Sequence, residues 1–112
     1  MKPVRIQRSR QKKQVSPNGL PIIYVGRGSQ YGNDFRIGEK SPKKWLNIFD
    51  NKDIDKYLGK ILDRGDCVYL FKKYMSWEMA EFTEANKGRN VSCWCGLQEK
   101  CHGDILLKMW ND

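Results

Sequence analysis

Three cysteines and the chain's single histidine fall within ten residues, in the stretch VSCWCGLQEKCHGDILL from Val91 to Leu107. A fold that uses Cys93, Cys95, Cys101 and His102 together must turn the chain back on itself between Cys95 and Cys101. The flanking sequence allows this turn. NVSCW at Asn90–Trp94 reads as a strand, so residues two apart share a face and Cys93 and Cys95 point together. Gly96–Lys100 is a loop, and His102–Trp110 reads as a helix with Ile105, Leu106 and Met109 inward. Cys101 and His102 therefore stand at a helix start, where the partial positive charge favours thiolate.

The resulting pattern, C-x-C-x5-C-H, leaves three readings open. Three sulfurs and an imidazole suit a tetrahedral zinc ion, with Cys93, Cys95, Cys101 and His102 as ligands. Side chains of neighbours diverge, so Cys101 and His102 reach one ion with difficulty. Cys67 or a water could then complete the set, and a water would open the site to chemistry. Alternatively, Cys101 is a nucleophile with His102 as its base. The third reading is a group of small buried side chains with one capped histidine.

The remaining pattern predicts a single α/β domain over residues 1–112, with three or four strands, helices packed on the sheet, and a metal staple near the C-terminus. Strands are expected at Val4–Arg8 and at Pro21–Val25, separated by a turn at Ser16–Gly19. Pro42 opens a short helix with Trp45, Ile48 and Phe49 on one face. Ile54, Tyr57, Leu58 and Ile61 keep helical spacing in a second, which Gly59 weakens. Asp66 is the expected N-cap of a longer helix carrying Val68, Phe71, Met75, Met79 and Phe82, which Ser76 could divide and Gly88 ends. A strand before the helices and one after them imply a right-handed parallel crossover.

Charge bears on partners. The chain carries a net +8, and Lys2, Arg5, Arg8, Arg10, Lys12 and Lys13 lie in residues 1–13 without one acid. This segment is either a basic arm that meets a partner or a solvated end. The sequence begins without an apolar leader and has no run long enough to span a membrane, which predicts an intracellular, cytoplasmic protein with reduced thiols. YVGRGSQYGNDF, directly after the second strand, offers an anion or nucleotide site at Arg27, Gly28, Ser29 and Asn33, with Tyr31 free to stack on a base. The competing reading is a tight glycine turn.

Together, the two motifs resemble a small domain-of-unknown-function family of bacteria and phages. Its pattern runs Y-[IV]-G-R-x-S-x-x-G-N-P-F, then an amphipathic helix, then C-W-C and C-H-G-D-x-L-L. The resemblance covers about residues 22–107 and carries over Arg27, Gly32, Asn33, Cys95, Cys101 and His102. Asp34 stands where that family has proline, and residues 40–60 look like an insertion. The resemblance implies a phage or bacterial origin. It leads to the expectation of a small zinc-stapled protein that binds a host partner, by analogy an anti-defence inhibitor of a CRISPR nuclease. An enzyme on a nucleotide or modified nucleoside, and a direct nucleic-acid binder, remain alternatives. Catalytic groups are scarce, because no paired carboxylates and only one histidine are available.

Overall fold

The computed structural model describes residues 2–10 and 15–112. Three short strands form one parallel sheet: β1 (Arg5–Gln7), β2 (Ile22–Tyr24) and β3 (Asn90–Cys93), in the order β1-β3-β2. The last strand therefore lies in the centre, with Ile6 opposite Ser92 on one side and Ile23 opposite Val91 on the other. All four β3 residues are buried, as expected where a strand is paired on both edges and covered on its faces.

Between β2 and β3 run the helices: α1 (Lys43–Leu46), α2 (Asn51–Tyr57), α3 (Arg64–Leu70), α4 (Ser76–Met79) and α5 (Thr83–Asn86). A π-turn over Phe71–Met75 joins α3 to α4, and a 3₁₀ turn over Ala80–Phe82 joins α4 to α5. The expected long helix is thus three segments on one path. Ser76 marks the join, and its hydroxyl donates back to the Lys72 carbonyl, a bond that competes with regular helix. After β3, α6 (His102–Asn111) packs Leu106 and Trp110 into the core, and Trp110 Nε1 donates to the Met79 carbonyl at 2.9 Å.

The Lys40–Lys60 segment contributes Trp45, Phe49 and Tyr57 to the core, with Phe49 stacked on Tyr74 at 4.7 Å between centroids. Ile48, Leu58 and Ile61 differ from the expectation and face solvent, because α1 is one turn long and α2 ends before Gly59 takes φ 72°. The N-cap of α3 is Asp63, not Asp66. Asp63 accepts from the Asp66 N–H at 2.8 Å, and Asp66 accepts from the Asp63 N–H at 3.0 Å, a reciprocal capping box. Among the described residues, no helix is long and apolar enough to cross a membrane.

Candidate metal centre and cation-lined cleft

Cys93 ends β3, Cys95 lies two residues further in the bend that follows, and Cys101 is the N-cap of α6. Their three sulfurs lie within 4.8 Å of one another and form a group able to hold a metal ion. Cys93 and Cys101 approach to 3.1 Å. The Cys101 sulfur also accepts the Gly103 N–H at 3.4 Å, taking the place an Ser or Asp oxygen fills in most N-caps.

Hydrogen bonds from Cys101 and Cys93 lower the Cys95 thiol, with help from Arg64. The bonds to Cys93 and Cys95 raise Cys101, and burial acts in the same direction. A buried cation lies beside the trio. The Arg5 side chain is 5% exposed and directs Nη1 to the Cys93 sulfur at 3.6 Å and to the Cys95 carbonyl at 3.3 Å. Its Nη2 donates to the carbonyls of Gly96, Leu97 and Glu99, and Nε to Asp104 at 2.7 Å. One guanidinium, through its planar fork of donors, therefore shapes the whole Cys95–Glu99 loop. Gly103 makes room for it: a Cβ there would stand 3.2 Å from Arg5 Cδ.

His102 stands outside the three-sulfur group. Its Nε2 meets the Val25 carbonyl at 2.6 Å, so that nitrogen carries the proton. Burial lowers its pKa and keeps the ring neutral, which leaves Nδ1 as a bare lone pair 3.8 Å from the Cys101 sulfur. The expected four-ligand set thus divides into three sulfurs and a histidine pinned by β2. Cys67 is also outside the group. It is buried on α3, and burial raises its thiol to about 11.

The same sulfurs line one face of an open cleft of about 690 Å³. The glycine-rich loop lines the other, so the two sequence motifs meet across it. Arg27, Gly28 and Asn33 border the cleft, but Ser29 does not. Ser29 instead donates to the Gly26 carbonyl at 2.7 Å, and Asn33 donates to the Cys67 carbonyl at 3.0 Å and accepts from the Phe35 N–H at 2.9 Å. Both side chains build the loop. Tyr31 is buried edge-on between Phe82 and Trp110 and is not free to stack on a ligand. Asp34 turns away from the cleft to Trp45 Nε1 at 3.1 Å and to Lys44 at 2.8 Å.

Five cations line the cleft, Arg10, Arg27, Arg36, Arg64 and Lys100, and no Asp or Glu does. Arg64 pairs with Glu99 at 2.8 Å. Among the described residues, no carboxylate pairs with the other four. Sequence reasoning missed Arg36, Arg64 and Lys100, because each lies in a different segment and only the fold collects them. Of the basic arm, Arg5 is turned inward, Lys2, Arg8 and Arg10 are exposed, and Lys12 and Lys13 lie outside the described residues.

Comparison with known proteins adds one finding. A profile described as "Domain of unknown function (DUF4326)" matches residues 4–112. No curated protein and no solved structure matches the chain.

Proposed function

Because the chain belongs to the DUF4326 family of domains of unknown function, we propose its function from the cleft itself: a zinc-holding pocket that takes a small phosphate-bearing ligand against its three sulfurs. One observation carries this reading, namely five cations and no carboxylate around a cleft that the three cysteines also line. Phosphate oxygens match arginine forks, and a volume of about 690 Å³ lies within the usual range for small-ligand sites.

The donor set suits zinc. Three thiolates are soft ligands, and their joint charge of −3 against Zn²⁺ leaves −1, which the buried Arg5 guanidinium offsets. Three protein ligands leave a fourth position, the arrangement of catalytic rather than closed structural zinc. A zinc ion there would supply Lewis acidity to an oxygen of the bound ligand. The protein's own groups divide the remaining work. Arg27, Arg36 and Lys100 attract and orient the anion, and Arg5 fixes the loop that carries Cys95. His102 Nδ1 is the one neutral base beside the sulfurs.

Elemental analysis and calorimetry test the reading. One zinc per chain is expected, lost in Cys93→Ser, Cys95→Ser and Cys101→Ser but kept in His102→Ala. Inorganic pyrophosphate should bind the zinc-loaded protein, and Arg27→Ala with Arg36→Ala should weaken it at least about tenfold. Metal-free protein that also ignores pyrophosphate would dismiss the proposal.

A second reading is supported by exposed apolar side chains elsewhere. Ile48, Leu58, Ile61 and Trp77 are each 55–70% exposed, away from the cleft, and suit a protein partner. On this reading the chain is a phage-type inhibitor of host nucleic-acid machinery. A purified CRISPR nuclease that keeps its full rate under tenfold excess of this protein would remove that form of it.

A further inference from the structure

The cleft has an aromatic wall as well as a cationic one. Trp94 lies between two of the clustered cysteines, yet its side chain is 44% exposed and lines the cleft. β3 ends at Cys93, and the bend that follows brings Cys93, Trp94 and Cys95 all to the cleft. Tyr24 stands across from it on the end of β2. Its hydroxyl donates to the Arg27 carbonyl at 2.8 Å, and its ring covers Gly26 so closely that a Cβ there would meet it at 2.5 Å. Tyr24 is thereby fixed to the glycine-rich loop. The Arg8 guanidinium lies 4.7 Å from the Tyr24 centroid and 5.6 Å from that of Trp94, and Arg10 lies 6.0 Å from Trp94. Cation–π contacts thus tie the two rings into one rim.

We propose that the ligand is a mononucleotide, its base stacked on Trp94 and its phosphate held by Arg27, Arg36 and Lys100. The inference rests on the cleft reading above and adds the ring-bearing half of the ligand. A bare phosphate would use the cations and leave the exposed indole and most of the about 690 Å³ without a role. A purine or pyrimidine fills both. Stacking on a tryptophan tolerates any base, because every base presents a π-face. The wall thus selects for an aromatic ring on the phosphate rather than for one nucleobase.

The test uses the full, zinc-loaded chain and three probes: adenosine 5′-monophosphate, ribose 5-phosphate and a single-stranded decanucleotide. AMP should bind at least about tenfold more tightly than ribose 5-phosphate, the factor expected of one base stacked on an aromatic side chain. Trp94→Leu should bring AMP down to the ribose 5-phosphate level while ribose 5-phosphate binds as before. Trp77→Leu, at a residue 70% exposed outside the cleft, should change neither. Equal binding of the two probes, or a preference that survives Trp94→Leu, overturns the stacking proposal and leaves the anion cleft standing. If neither binds, the cleft reading fails and the inference fails with it. A decanucleotide that binds far more tightly than AMP, with steep salt dependence, overturns it in favour of a nucleic-acid strand.

Discussion

At the scale of single residues, the organising side chain is Arg5. Its six acceptors include the carbonyls of Cys95, Gly96, Leu97 and Glu99, all from one loop. Arg5→Ala strands those carbonyls and removes the counter-charge to the sulfurs, a loss of about 3 kcal/mol readable in urea unfolding. Arg5→Lys should recover little of it, because an ammonium cannot reproduce the planar fork. A Lys variant as stable as the parent would show that charge alone suffices. Gly103→Ala should act through the same contact, since the new methyl meets Arg5 Cδ at 3.2 Å and the guanidinium must shift. The sequence places Arg5 among basic residues without acids, a pattern that reads as a solvated or partner-facing arm. Its true partners are up to 99 residues away, and no local pattern encodes such a separation. The cysteines were legible for the opposite reason. Their clustering depends on close spacing and a short loop, both local, although the strand ends at Cys93, short of the expected Trp94. The place of Trp94 on a cleft wall needed β2 and the glycine-rich loop.

Among elements, the start of α3 gives a prediction with a sign. Burial raises the Asp66 carboxyl, but the Asp63 N–H and the Lys60 ammonium at 3.0 Å more than offset this and hold it below the ordinary 3.8. A folded value below the unfolded one stabilises above pH 3.8, and the contribution fades as pH falls through the folded value. Asp66→Ala should therefore cost about 1 kcal/mol at pH 7, and the gap to the parent should close in acid. A gap that does not change between pH 7 and pH 2 would mean the cap acts without charge. The DRGD stretch showed that a cap lies here, and its two acids made the choice between Asp63 and Asp66 ambiguous. The three strands were readable from β-branched runs, and α6 from Ile105, Leu106 and Met109 at helical spacing, although Leu106 and Trp110 are the side chains it buries. The π-turn at Phe71–Met75 was not, since the apolar spacing that it interrupts still reads as one continuous helix. Residues 40–60 look like an insertion in the sequence. They give Trp45, Phe49 and Tyr57 to the core, three of the residues whose helical spacing the sequence shows, while Ile48, Leu58 and Ile61 of the same pattern stay exposed.

For the whole molecule, the proposed metal would couple to the fold. The sulfurs join the end of the central strand to the last helix, so binding energy at the cluster would become folding energy. Stripping the proposed zinc with a strong chelator should lower the melting temperature by more than about 10 °C, at roughly 4–8 °C for each kcal/mol in a domain near this size. Re-addition of zinc should restore it, and a Tm indifferent to chelator would leave the ion without a role in folding. The order of the strands has a consequence for synthesis. The centre of the sheet is the last strand to leave the ribosome, and β1 pairs only with it, 86 residues later. Until β3 emerges, β1 and β2 have no neighbour to bond, and the basic first segment waits in an unpaired state while most of the chain is made. Folding of this domain is therefore a late event in its own translation, and a nascent chain arrested before Asn90 should lack the sheet altogether.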